Sequence, residues 1–348
     1  MIRLAFIGPM VGAKCEVVST QGDIVAKLFA KAGYSVVAAS AKPNRYMRLV
    51  DIASTLVRKR KGIDLQCVQV YSGPSFILAD LASWLGKLFG HSLVLFLHGG
   101  SLPNFMVRYP NWTQRVFNRA DRLVAPSDFL ANAFVQYGYK IEVIPNVIDL
   151  SVYPFRHRKS LTPRLLWMRA FHQVYNPLMA IHVLVRVRAV MPTATLVMAG
   201  LDKGMQDDAQ ALASKEGVSD AVRFPGFLDM AAKGREGNHA DIFLNTSHVD
   251  NMPVSVVEAC AMGLPVVSTA VGGVPALLGD GETGLLVPDN DVHAMSNAVL
   301  RLCIDSTLAE KLSANGRRLA ESSSWTMVRA KWERMFTQIS VTSGSRER

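Results

Sequence analysis

Short apolar runs of strand length alternate with helix-patterned stretches from one end of this chain to the other, and the alternation occurs twice. Such a pattern demands parallel sheets assembled from strand–helix–strand units, because each strand must return in the same direction through a helical crossover. In the first half the runs are Leu4–Ile7, Ser35–Ala39, Cys67–Val70, Leu93–Leu97, Arg122–Ala125 and Glu142–Ile144. Helical stretches separate them at Asp23–Ala32, Arg45–Arg60, Phe76–Phe89, Trp112–Arg119 and Asp128–Tyr137. The segment Asn146–Pro163 has no period and three turn-forming points, and reads as a linker. A second series follows, with strands at Leu165–Met168, Thr195–Ala199, Val222–Phe224, Ile242–Asn245, Val266–Ser268 and Leu285–Val287. Its helices fall at Pro177–Val190, Asp207–Glu216, Met230–Gly234, Val254–Ala261 and from Asp291 onward. The expected architecture is α/β, with a first domain over 1–150 and a second over 164–324. An amphipathic helix near 325–340, with Trp325, Val328, Trp332, Met335 and Phe336 on one side, packs back onto a body.

Composition narrows the class. A chain of 348 residues with 49% hydrophobic and 19% charged residues is globular and long enough for two cores. No apolar run reaches the ~18 residues a membrane span needs, and MIRLAFIGPM reads as a first buried strand rather than a secretory signal. Cys15, Cys67, Cys260 and Cys303 are scattered without metal or redox spacing, as in a cytoplasmic protein with reduced thiols. The formal charge of +10 is uneven. Residues 1–150 hold 17 Lys/Arg against 9 Asp/Glu, and residues 151–348 hold 21 against 19. The run Arg58-Lys59-Arg60-Lys61 adds to a basic first half suited to an anionic membrane surface or a phosphorylated partner. No RNA-binding or zinc signature points to nucleic acid.

Ligands of doubly wound sheets bind outside the carboxyl ends of the strands, so residues there are the candidates. The stretch NTSHVDNMPVSVVEACAMGLPVVSTAVGGVP (245–275) places Asp250 in a loop before a helix and Glu258 inside that helix. Amides near Met252 to Ser255 would face an anionic ligand, and Glu258 could reach ribose hydroxyls. The bland alternative is an amphipathic helix with two solvated carboxylates. His98 ends LVLFLHGG and either contacts a substrate hydroxyl or caps its loop. Arg169 ends a strand where its planar fork suits phosphate, or it forms a surface ion pair. His172 and Asn176 follow it. Gly200 ends another strand, and Arg223-Phe224-Pro225-Gly226 could hold a flat base by its edge. The first strand–helix loop, Gly8–Gly22, has glycines but no GxGxxG, and no GxxxxGK[ST], GxSxG or HExxH occurs.

Taken together these residues resemble the retaining, metal-independent glycosyltransferases of family 4, the group 1 type, with the two-domain GT-B fold. The matching pieces are HGG at His98, PSDFL at Pro126, VIPNVID at Val143, DIFLN at Asp241, DNMPVSVVEACAMGLPVVSTAVGGVP at Asp250 and GETGLLVP at Gly281. The resemblance implies two Rossmann-like domains facing a central cleft, with the Trp325 helix crossing back to the first. It implies a second domain that binds a UDP- or GDP-sugar as substrate, a first that presents a carbohydrate or lipid-linked acceptor, and no metal or other cofactor. Glu258 would hold the ribose, and Asp250 would lie near the donor sugar with Asn251. The amides of Met252, Pro253 and Val254 would orient sugar and phosphate, Arg169 would neutralise the leaving diphosphate, and His98 would contact the sugar. Gly12 carries over weakly from the family's glycine loop. The pattern departs in one place: the family's lysine after the arginine is missing, since AFHQVYNP follows Arg169 and no lysine precedes Lys203. His172, Asn176 or Lys203 would have to substitute. Cell-surface polysaccharide or glycoconjugate synthesis in the cytoplasm, peripheral to the membrane, is the implied setting. The alternatives are a non-catalytic nucleotide-sugar binder and a nucleotide-sugar epimerase of the same fold.

Overall fold

The computed structural model describes residues 2–10 and 20–344, so Gly12 and Cys15 lie outside the described residues. The chain divides into two compact units, 1–147 with 325–348, and 148–324. In the first, strands β1 (Leu4–Ile7), β2 (Val36–Ala39), β3 (Leu65–Val70), β4 (Ser92–Leu97), β5 (Arg122–Ala125) and β6 (Ile141–Val143) form one sheet. Their order is β2-β1-β3-β4-β5-β6, and all neighbours run parallel. Strands β3 and β4 are buried at almost every position, Gln66 and Gln69 included, because helices cover both faces, as parallel sheets require. In this unit the helix Leu102–Arg108 escaped the sequence pattern. It precedes a second helix, Pro110–Phe117, and Pro110 cannot continue the first helix yet starts the next.

The helix Trp325–Gly344 belongs to this first unit. Val328, Trp332, Met335, Phe336 and Ile339 are buried in the same cluster as Phe6, Phe29 and Phe96. Trp332 meets Phe6 and Phe96 edge-on, with ring centroids 6.4 and 5.4 Å apart. The last segment of the chain thus covers one face of the first sheet, and its five apolar side chains each contribute about 1.5–3 kcal/mol of burial.

The second unit repeats the plan with β7 (Arg164–Met168), β8 (Thr195–Ala199), β9 (Val222–Gly226), β10 (Ile242–Asn245), β11 (Val266–Thr269) and β12 (Leu285–Val287). The order is β12-β11-β10-β7-β8-β9. The chain lays down β7, β8 and β9 outward in one direction, then returns to build β10, β11 and β12 in the other. The carboxyl ends of β7 and β10, which pair in parallel, therefore flank the switch point where such sheets open a crevice.

The segment expected to link the domains does not behave as a linker. Residues 148–163 pack onto the second unit: Tyr153 and Arg158 are 2% and 1% exposed. The Arg158 guanidinium donates to the backbone carbonyls of Arg156, Gly237, Ala240 and Met262. Burial, and then the nearby Arg156 charge, lower its pKa to about 9, so it stays protonated near neutrality. Buried Asp241 receives Arg156, Arg164 and the Thr162 hydroxyl. Its desolvation is outweighed by these donors, and its pKa lies below the usual carboxylate range. Polar anchors of this kind have no apolar period, which is why the stretch reads as loop.

Candidate functional site

At the switch point of the second unit, Arg169 follows β7 and Asp250 lies in the loop after β10. The Arg169 guanidinium pairs with the Asp250 carboxylate and donates to the Ser255 hydroxyl at 3.2 Å. Its guanidinium carbon lies over the Tyr175 ring, 4.0 Å from the centroid. Arg169 and Asp250 side chains are 13% and 12% exposed, so this is a largely desolvated pair rather than a surface ion pair. Burial pushes the Asp250 carboxyl up, against the pull of Arg169 and of the Asn251 amide. The Arg169 Nε–H is buried without a partner, which leaves one edge of the fork unspent.

Two glycines let the backbone close in around the pair. A Cβ on Gly200 would fall 1.8 Å from the Arg169 carbonyl oxygen, and one on Gly272 (φ 53°) would fall 2.1 Å from that of Asp250. No side chain fits either gap. The Gly273 amide then donates to the Asp250 carbonyl at 2.8 Å, tying the glycine turn after β11 to the loop after β10.

The helix Val254–Ala261 starts beside Arg169, with Pro253 as its cap residue and no side-chain cap bond. Helix geometry leaves the Val254 and Ser255 amides without intrahelical acceptors, a partial positive charge aimed at whatever sits there. Pro253 has no N–H, so it cannot be one of the expected amide donors; its fixed φ starts the helix instead. Asn251 and Met252 are buried in the same turn.

Glu258 is 6% exposed and held by two residues the sequence did not single out. Lys233 reaches both carboxylate oxygens, at 2.8 and 2.9 Å, and the Tyr153 hydroxyl donates to Oε1 at 2.6 Å. Burial, and then the Glu258 charge, push the Tyr153 hydroxyl far up, so it remains a donor. Lys233 lies 25 residues before Glu258 and Tyr153 lies 105 before it. No local spacing links the three, so no sequence signal was there to find.

Of the three residues considered as substitutes for a lysine after Arg169, His172 and Asn176 cap local structure. His172 accepts the Val174 amide through Nδ1 and caps a short turn. Asn176 adopts the left-handed conformation, φ 45°, and caps the helix Pro177–Val190 through the Met179 amide. Lys203 is exposed beside Asp202, whose carboxylate gathers the amides of Gly204, Met205 and Gln206. The lysine built into this part of the second unit is Lys233. Arg223 is more than half exposed and paired with Glu236, while Phe224 packs on Phe171 and Gly226 accepts the Gly200 amide.

In the first unit, His98 directly follows β4 and is 6% exposed. Its ring lies flat on Tyr71, and its Nε2–H donates to the Gln69 side-chain oxygen at 2.6 Å. The Gln69 amide nitrogen is buried with no partner. Burial lowers the His98 pKa to about 3, so the imidazole is neutral and a hydrogen-bonding group, not a cation. A consequence can be measured. In the unfolded chain the ring protonates near its ordinary 6.5, while the folded ring resists until about 3. Stability should therefore fall as pH drops through that window, by about 2 kcal/mol between about pH 7 and 5. Denaturant titrations should show this loss in the native chain and not in His98→Gln; equal acid sensitivity in both would place the cause elsewhere.

Among the described residues no cluster of three or more His, Cys, Asp or Glu side chains could hold a metal ion, and no helix is long and apolar enough to cross a membrane.

The family model described as Glycosyl transferases group 1 matches residues 155–319, which include Arg169, Asp250 and Glu258; that of Glycosyltransferase Family 4 matches residues 12–152. The chain belongs to this glycosyltransferase family. Among its relatives, the D-inositol 3-phosphate glycosyltransferase of Actinosynnema mirum is 31% identical over 234 residues, covering 61% of this chain and 56% of the relative. That of Thermomonospora curvata is 30% identical over 241 residues, with the same two shares. This glycosyltransferase chain thus matches little more than half the length of these curated relatives. Its fold is GT-B, as in sucrose-phosphate synthase from Thermosynechococcus elongatus, with a TM-score of 0.74 at 18% identity over 98% of this chain and 99% of that one. HepE of Anabaena, solved with UDP, has a TM-score of 0.75 at 15% identity over 97% and 100%.

Proposed function

We propose that this protein transfers a sugar, with retention of anomeric configuration, from a UDP- or GDP-sugar to a carbohydrate or lipid-linked acceptor. The setting is cell-surface polysaccharide or glycoconjugate synthesis on the cytoplasmic side of a membrane. The observation that carries the reading is the juxtaposition at the second unit's switch point. A desolvated arginine fork and the open amides of a helix start lie side by side, and a buried glutamate follows one turn deeper.

Each part suits one part of the donor. Arg169 and the Val254 and Ser255 amides meet the diphosphate, stabilising the negative charge that develops as the sugar leaves. Low exposure strengthens these contacts, since fewer waters compete for the charge. Glu258 accepts a ribose hydroxyl. Its Oε1 already takes Tyr153 and Lys233 and its Oε2 takes Lys233, so one lone pair on Oε2 remains for that hydroxyl. Lys233 supplies positive charge without standing in the family's usual place. Asp250 holds the fork in register, and Arg223 to Gly226 border the base. The leaving phosphate, on the acceptor's side of the sugar, helps take the acceptor proton, so alignment and charge rather than a covalent intermediate carry the reaction. In the first unit, which presents the acceptor, neutral His98 offers a hydrogen bond to a sugar hydroxyl.

HepE, solved with UDP, supports a uridine donor. The relatives' name, D-inositol 3-phosphate glycosyltransferase, fits a phosphorylated acceptor, as does the basic first half. A thermal-shift series across UDP-, GDP- and ADP-sugars tests the donor. A cognate donor at about 100 times its Kd should stabilise the fold by roughly 2.7 kcal/mol, and Glu258→Ala should lose that shift. Turnover should persist in excess EDTA; its loss would overturn the metal-independent reading. No shift with any nucleotide sugar would overturn the site.

A further inference from the structure

Two neighbouring helices of the first unit turn apolar side chains outward. On Arg45–Lys59, Ile52 and Leu56 are buried, yet Tyr46, Met47, Val50 and Val57 are exposed, three of them by more than half. At about 100° per residue these four fall within an arc of about 100° on the side away from the core. On Phe76–Leu88, Ile77, Trp84 and Leu88 are exposed and recur at i, i+7 and i+11, a single stripe with partly buried Leu81 between them. A solvated helix face carries polar residues at such positions. Here two adjacent stripes, each about 15 Å long, carry valine, methionine, leucine and aromatic side chains instead.

Charge selects the partner. From Arg45 to Lys61 the chain has six basic residues, Arg45, Arg48, Arg58, Lys59, Arg60 and Lys61, and one acidic residue, Asp51. Nearby Asp80 is spent on Arg115, Arg119 and the Trp112 indole. Between the starts of the two helices lies a groove of 340 Å³ where Arg45 and Arg48 face Leu49, Ile77 and Trp112. Its lining joins apolar side chains to Arg45 and to Arg48, which also donates to the Lys42 and Pro43 carbonyls, and a phospholipid headgroup with its first methylenes would match that pairing.

We propose that these two helices form a monotopic docking face for an anionic lipid bilayer. The apolar stripes enter the headgroup–acyl boundary, with Trp84 at the interface, and the basic run meets lipid phosphates. A second copy of the chain is disfavoured, since pairing like faces would set the two basic runs against each other. This deepens the lipid-linked branch of the function proposed above and rests on it only for its purpose. Vesicle binding needs neither donor nor turnover, so the two ideas fail separately.

The full chain should co-sediment with phosphatidylcholine vesicles containing phosphatidylglycerol and weakly with phosphatidylcholine alone. The double variant Val50→Ser with Trp84→Ser, both at exposed positions, should lose about tenfold in vesicle affinity with an unchanged circular dichroism spectrum and unfolding temperature. Arg58→Glu with Lys61→Glu should abolish the preference for the anionic lipid, and serves as the second reading if the first variant fails to fold. Absence of binding to anionic vesicles, or full binding by a folded apolar variant, would overturn the proposal. So would a dimer, seen by sedimentation velocity, that the apolar variant dissociates, since the face would then belong to a second copy.

Discussion

Arg169→Ala is expected to lower kcat/KM by about 100- to 1,000-fold, the scale set by removing one preorganised donor from a developing oxyanion. Most of the loss should appear in kcat, because the arginine meets the diphosphate most strongly as charge accumulates on it. Arg169→Lys should recover little. An ammonium cannot donate to both Asp250 and Ser255 while keeping its charge over Tyr175. The substitution also strands Asp250, which is 12% exposed and would lose its counter-charge. An uncompensated carboxylate of this kind costs about 3–5 kcal/mol, so Arg169→Ala alone confounds activity with folding. The double variant Arg169→Met with Asp250→Asn separates them: stability should return while turnover stays low. Full turnover in Arg169→Ala would sink the assignment of the diphosphate to this residue. Turnover restored in the double variant would show that the pair serves structure alone.

Arg158→Met should produce the largest loss of stability from a single change outside the candidate site. The methionine fills similar volume, but the carbonyls of Gly237 and Arg156 lose the Arg158 donor, and those of Ala240 and Met262 keep only Arg156. Buried acceptors left unpaired cost about 1–3 kcal/mol each, partly recovered where water enters, for a net loss of about 2–4 kcal/mol. Differential scanning calorimetry should place this loss in the transition that nucleotide binding raises, since Arg158 anchors the opening segment of the second unit. A loss below about 1 kcal/mol would mean that the carbonyls find other donors. The helix Met230–His239 carries both Gly237 and Lys233, so donor affinity should weaken alongside stability.

Much of the fold was legible because apolar spacing is a local signal. Pro177–Val190, Thr195–Ala199, Ile242–Asn245 and Val254–Ala261 form over the residues read from the chain. Period, a cap or proline at the start, and β-branched runs all agree there. The helix Leu102–Arg108 was missed where Pro103 and Pro110 obscure the period, and residues 148–163 were misread because polar anchors hold them. At the site, Arg169, Asp250 and Glu258 could be named, since strand ends in a doubly wound sheet have a known address. Tyr153 and Lys233 could not be, because only folding brings side chains 105 and 25 residues away onto one carboxylate.

By itself, then, the sequence determined the repeated α/β plan, the strand ends that matter and the absence of a lysine close behind Arg169. The tertiary structure decided how the charges are spent. It pairs Arg169 with Asp250, brings Lys233 to Glu258, leaves His98 neutral against Gln69 and turns two apolar stripes outward. Secondary structure follows from neighbours a few residues apart, whereas ion pairing and desolvation depend on distances in space that the order of residues does not encode locally.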